Sequence, residues 1–209
     1  MFAIHRHNIL KSFRLHSLWS VVAVQALICV VSAEEKIVVH DPAVHAGSGL
    51  KKELTAGIGE ADFLRLGDKP QMVKITLVTA FNETNSWLNF NGYSHGRASY
   101  TIPKGWTVEV TLINPSPAPH SAVVVERDKW RNVRVGDPAF RGACTPNPDV
   151  GISSSKATFS FTASEAGEYA ICCGVPTHAS GGHWAGLYVI AGAIVPTLKL
   201  GDSPPREAK

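Results

Sequence analysis

An all-β domain is what this sequence predicts, and three observations carry the prediction. From Val73 onward apolar residues recur with a period of two, the runs are short, and each is closed by residues that favour turns. Alternation places one face of each strand in a core, while Gly, Pro and Asn between the runs supply the backbone geometries that reverse the chain. At 209 residues the chain is long enough to bury a substantial core.

The elements follow in order. Residues 1–33 hold Arg6, Lys11 and Arg14, no acidic side chain, an apolar run over 18–31, and then Ser32-Ala33. A charged start, an apolar middle and small residues at the end are the pattern of a secretory signal peptide, with cleavage expected after Ala33. An uncleaved N-terminal membrane anchor is the alternative, although a full span needs ~20 apolar residues. Either way the remainder is expected in a periplasmic or other extracytoplasmic compartment, which is oxidising. The net charge of +3 belongs to this leader: outside it stand 17 basic and 17 acidic side chains. A formally neutral domain without a Lys/Arg cluster argues against a nucleic-acid partner.

Residues 34–70 read as an N-terminal extension or linker, with a short amphipathic helix over 50–66 that Gly57 and Gly59 weaken. The β-domain is expected over 71–195. Val73, Ile75 and Leu77 share one strand face, as do Trp106, Val108, Val110 and Leu112, and then Ala157, Phe159, Phe161 and Ala163. Tyr169, Ile171 and Cys173 share another, and Leu187 and Val189 a last one. Asn91-Gly92, Pro103-Lys104-Gly105, Asn114-Pro115, Pro146-Asn147-Pro148 and Ala166-Gly167 mark the turns between them. Residues 128–155 lack periodicity and read as a long loop, and 196–209 as a C-terminal tail. Short alternating strands with such turns indicate an antiparallel sandwich or barrel.

The residues that carry chemistry are concentrated in 169–184, where Cys173, His178 and His183 follow one another with four residues between each pair. Cys173 ends a strand whose inward face also carries Tyr169 and Ile171, so its sulfur points into one end of the barrel and Cys172 points outward. Pro176 restricts the loop that follows, and Gly181-Gly182 permit a second tight turn before the next strand. His120 opens another strand after a proline-rich turn and is placed to join them. A Cys at a strand end is by itself a common core residue, and a turn His is commonly solvated. Two imidazoles and a thiolate with a weak axial group, however, are the donor set of a mononuclear copper electron-transfer centre.

The segments L-N-F-N-G-Y (88–93), I-P-K-G-W-T-V (102–108), N-P-S-P-A-P-H-S (114–121) and C-G-V-P-T-H-A-S-G-G-H-W (173–184) resemble, in order, motifs of the sulfocyanins, a cupredoxin family. The resemblance spans roughly 73–191 and implies a cupredoxin-type Greek-key sandwich or barrel holding one copper ion. It implies His120, Cys173 and His178 as equatorial metal ligands. Sulfocyanins carry Met where this chain has His183, and Met1 and Met72 are the only methionines available. His183 is therefore either an axial ligand itself or a bystander beside a three-coordinate metal. Imidazole donates more strongly to Cu(II) than a thioether does, so an axial His183 would lower the potential and shift a blue spectrum toward green or red. A Cys-His₃ set also suits Zn²⁺, which becomes a competitor.

By the same resemblance the protein is a one-electron carrier between membrane-linked redox partners such as a cytochrome or a terminal oxidase, and not an enzyme. The imidazole edge of His178 is the expected electron exit. A small-molecule-binding or catalytic red or green copper site, and a module that holds copper or zinc without redox work, remain open. Cys172 is read as an inert exposed thiol or as the disulfide partner of Cys144, while His95, His40 and His45 read as loop or solvated residues. No paired His-x-His outside the leader supports a multicopper centre, the adjacent Cys172 and Cys173 do not suit a binuclear one, and no C-x-x-C-H, phosphate loop or Ser-His-Asp signature stands out.

Overall fold

The computed structural model describes residues 49–209, so the leader and the first part of the extension lie outside the described residues. Ten strands run in the order β1 (Leu64–Leu66), β2 (Met72–Val78), β3 (Ala98–Pro103), β4 (Thr107–Asn114), β5 (Val123–Glu126), β6 (Ser155–Thr162), β7 (Gly167–Cys172), β8 (Trp184–Ile190), β9 (Thr197–Leu200) and β10 (Arg206–Glu207). They form a four-stranded sheet, β1-β2-β4-β6, and a six-stranded sheet, β10-β9-β3-β8-β7-β5. The pairs β2–β4 and β3–β8 are parallel and the rest antiparallel. The all-β reading holds, and no α-helix occurs among the described residues. None of their helical segments is long and apolar enough to cross a membrane.

The period of two does what it predicts. Val73, Ile75 and Leu77 of β2, Val108, Val110 and Leu112 of β4, and Phe159 and Phe161 of β6 are buried against Tyr100, Ile102, Tyr169, Ile171, Leu187 and Val189 from the other sheet. Cys173 belongs to this inter-sheet core. On the other face of β5, β7 and β8, the residues nearest the ends that carry Cys173 and His183 are buried as well, while Glu168 and Ile190 meet solvent. Val123, Val125, Ala170, Cys172 and Trp184 form a second apolar cluster, completed by Val135 and Ala179 with Trp130 packed against it. A six-stranded sheet buried on both faces here explains why the 127–150 excursion, which opens with a 3₁₀ turn at Arg127–Arg131, stays folded without periodicity of its own.

The helix expected over 50–66 does not form. Two 3₁₀ turns, Lys52–Leu54 and Glu60–Asp62, flank Gly57, whose φ of +77° cannot belong to a right-handed helix. Leu64 is then buried as the first residue of β1, opposite Ile75. At the other end β9 and β10 extend the six-stranded sheet through the segment read as a tail, and Leu198 and Leu200 enter the core. The strands therefore reach beyond 71–195 on both sides.

One buried amide ties the four-stranded sheet to the turn that carries His120. Asn114, at the end of β4, accepts from Thr79 Oγ1 at 2.8 Å and from the Ser116 N–H at 2.9 Å. Its Nδ2 donates to the carbonyls of Ala118 at 2.7 Å and Ile152 at 2.6 Å. Ile152 in turn exchanges both backbone hydrogen bonds with His120. Asn114→Ala strips all four partners inside the fold, and we expect a loss of ~2–4 kcal/mol, read as a lower urea midpoint with an unchanged slope.

Candidate metal centre

Four buried side chains from two chain segments meet at one end of the sandwich. Cys173 stands one residue past β7, His178 and His183 lie in the loop to β8, and His120 precedes β5. The candidate ligand atoms of His120, Cys173, His178 and His183 all lie within 4.8 Å of one another. Cys173 Sγ is 3.2 Å from His178 Nδ1 and 3.9 Å from His120 Nδ1. Donors that share an ion at ~2.0–2.3 Å stand about 3.5–4 Å apart, so the set needs only small shifts to close on a metal. The chemistry of the set, one soft sulfur and three imidazoles, fits copper and also accommodates zinc.

The loop is stitched by its own backbone. The Cys173 N–H donates to the His183 carbonyl at 3.0 Å, and the His183 N–H donates to the His178 carbonyl at 2.9 Å. These two bonds fix the three residues relative to one another. The spacing of four residues between each pair is thus a consequence of a closed double turn, with hydrogen bonds from Gly181 to Thr177 and from Gly182 to Ala179 completing it. A second loop clamps the first on either side of His183: the His95 N–H donates to the Gly182 carbonyl at 2.7 Å and the Gly96 N–H to the Trp184 carbonyl at 3.0 Å. Gly182 has a φ of +100°, and a Cβ there would strike the His95 ring, so this close approach requires glycine. His95 itself is exposed and stays outside the cluster, as its sequence context suggests.

Ser121 is the residue that sequence reasoning missed. Its backbone N–H points at Cys173 Sγ at 3.4 Å, while its Oγ accepts from the Gly174 N–H at 2.8 Å and donates to the Pro148 carbonyl at 2.6 Å. The hydroxyl thus links the His120 segment, the Cys173 turn and the long loop. Ser121 stands inside N-P-S-P-A-P-H-S, but only the position of Pro148 in the fold reveals its partners. Burial pushes the Cys173 thiol up to about 11, and the N–H groups of Ser121 and Val175 oppose that rise by favouring the thiolate. A metal taken up here would displace the thiol proton.

Two sequence expectations are corrected. His178 was expected to present an imidazole edge to solvent, yet His120, His178 and His183 are each 0 % exposed. The segment preceding β3 covers the loop: Asn85 Nδ2 donates to the Gly181 carbonyl at 2.9 Å, and the Leu88 side chain lies beside Gly181. The Phe90 ring packs on His183 at 4.2 Å between centroids. Cys172, for its part, is neither exposed nor disulfide-bonded; it is fully buried, and Cys144 and Cys172 are free thiols. The reason is register. Val123 pairs with Cys172 on one side and bridges to Cys144 on the other. Two strand spacings, roughly 9.5 Å, then separate the cysteines, and a disulfide needs Cα atoms within about 7 Å. Burial in the apolar cluster also raises the Cys172 thiol, which keeps it protonated and inert.

Comparison with known proteins identifies the family. Residues 62–198 match the family model described as the Sulfocyanin (SoxE) domain. A curated protein named Sulfocyanin, from Sulfolobus acidocaldarius, is 34 % identical over 125 residues, covering 55 % of this chain. The match spans 62 % of that relative's length. Among solved structures, dithionite-reduced auracyanin from the photosynthetic bacterium Roseiflexus castenholzii is 23 % identical, with a TM-score of 0.42 over 56 % of this chain and 96 % of that one. Rusticyanin from Thiobacillus ferrooxidans is 19 % identical, with a TM-score of 0.43 over 68 % of this chain and 94 % of that one.

Proposed function

The chain belongs to the sulfocyanin family of cupredoxin-type copper proteins, and from that premise we propose that it is an exported one-electron carrier whose copper is held by His120, Cys173, His178 and His183. The observation that carries the proposal is the convergence of these four buried side chains, their ligand atoms within 4.8 Å of one another. Bound there, copper supplies a one-electron couple. The protein's part is to keep the same donors in place for both oxidation states, so that little has to move when an electron arrives or leaves.

Several features of the chain support that part. The stitched loop, the clamp at Gly182 and Trp184, and the Ser121 hydroxyl each restrain a different ligand. Complete burial excludes bulk water from the donor set and favours outer-sphere electron transfer over binding of an external small molecule. Passage through the leader at 1–33 is the proposed route to an extracytoplasmic compartment, with a cytochrome or terminal oxidase as the class of partner.

Residues 34–209, produced without the leader and loaded with copper, test the proposal. We expect one copper per chain by metal analysis, an intense sulfur-to-copper absorption in the visible range, a Cu(II) paramagnetic spectrum, and reversible bleaching on reduction. Exclusive retention of zinc with no redox response would replace the carrier by a metal-holding module.

A further inference from the structure

No imidazole of the donor set reaches the surface, so an electron needs another way in. We propose that the stacked indoles of Trp184 and Trp130 form that route, a lateral port that opens on the face of the six-stranded sheet beside the Arg127–Arg131 turn. The inference rests on the electron-carrier reading and adds to it the residues through which the electron passes.

Three observations lead from the centre to the surface. Trp184 is bonded directly to His183 and pairs with Cys172 across β7–β8, so it is one peptide link from one donor and two short links from another. Its ring lies in the second apolar cluster, and the Trp130 ring stacks on it with centroids 4.9 Å apart and planes 14° from parallel. Trp130 is only half-buried and, with Trp184, lines a shallow cleft of ≈ 260 Å³ whose rim is Glu126, Arg127, Asp128 and Arg131. Electronic coupling falls exponentially with distance and falls faster across gaps than through bonds and stacked π systems. Two large aromatic rings in face contact therefore bridge the sheet better than the aliphatic packing around them.

The stack is also held still. Arg127 lies over the Trp184 ring at 5.7 Å and over the Tyr188 ring at 5.4 Å, and it is anchored by Glu168 at 3.0 Å and Tyr188 Oη at 2.8 Å. Arg131 covers Trp130 at 4.9 Å. The Trp184 ring also lies against Gly96, where φ is +71° and a Cβ would overlap the indole. The Trp184 indole N–H is buried with no hydrogen-bond partner, so no base stands beside its proton, which suits tunnelling through a neutral ring. One electron leaves a one-electron donor docked at Trp130 and one is gained at the centre; no bond forms or breaks, and neither indole is oxidised or reduced.

The test attaches a photoactive ruthenium complex to a single surface imidazole introduced by Lys129→His in the copper-loaded protein. Flash photolysis then times reduction of the centre in this background and with Trp130→Leu or Trp130→Phe added. We expect the rate to fall by about an order of magnitude with Leu and to recover in part with Phe, while the midpoint potential and visible spectrum stay unchanged. Equal rates in all three proteins with intact spectra would overturn the port and leave the carrier reading standing. A parent protein that never bleaches would overturn the carrier reading itself, and the port with it.

Discussion

Cys173→Ser will abolish the intense visible absorption of the copper-loaded protein. It will also lower copper affinity by more than the ~10–100-fold that loss of a mere supporting partner costs. The reason lies in which atom meets the metal. Cys173 Sγ is the only sulfur in the cluster, and a hydroxyl neither ionises in its place nor supplies a sulfur-to-copper transition. The exchange is nearly isosteric, and the new hydroxyl sits where the Ser121 N–H already points, so the fold should persist. Far-ultraviolet circular dichroism and a urea titration check that persistence, and copper titration with optical detection reads the effect. Full retention of the visible band would place the chromophore on another residue and remove the basis of the proposed centre.

Cys172→Ser is the matched control. Its thiol lies on the opposite face of the same strand, in the outer apolar cluster, and makes no part of the donor set. The visible band should survive this change, while stability falls by about 1–3 kcal/mol because a buried hydroxyl replaces an apolar thiol.

Much of this was legible in residue order because one period governs both the fold and the site. Strict alternation in 169–173 assigns Ile171 and Cys173 to the inner core and Cys172 to the other face, and the structure divides them in that way. The spacing of Cys173, His178 and His183 likewise reads as a loop that returns on itself. What alternation could not reveal is depth. The second apolar cluster depends on a non-periodic excursion folding back over β5, β7 and β8, a long-range event with no local signature. That misplaced Cys172 as exposed and left the Trp130–Trp184 stack out of reach. The same limit hid the cover on the loop at Gly181, which comes from Asn85 and Leu88, some ninety residues earlier in the chain. The helix expected over 50–66 failed for a different reason. Its apolar residues can satisfy a helical face or one strand plus turns, and β2 supplies a partner for Leu64 that an isolated helix lacks.

His183→Met is expected to raise the midpoint potential and move the spectrum toward blue. His183 is fully buried; its ring centroid lies 4.9 Å from that of His120, 6.0 Å from that of His178 and 4.2 Å from that of Phe90. A flexible Met side chain fits such a space without rebuilding the loop. Imidazole stabilises Cu(II) more than Cu(I), and each tenfold in that preference lowers a one-electron potential by about 59 mV. A preference on the order of a hundredfold therefore predicts a rise of ~120 mV when a thioether replaces it. A thioether would be a weaker fourth donor than imidazole, so copper held by His120, Cys173 and His178 would show more of the sulfur-to-copper absorption that makes such centres blue. Voltammetry at fixed pH and the paramagnetic spectrum read the two effects independently. If potential and spectrum both stay where they were, His183 is a buried neighbour of a three-coordinate centre. Its backbone bonds to Cys173 and His178 and its packing against Phe90 would then be how it supports the centre.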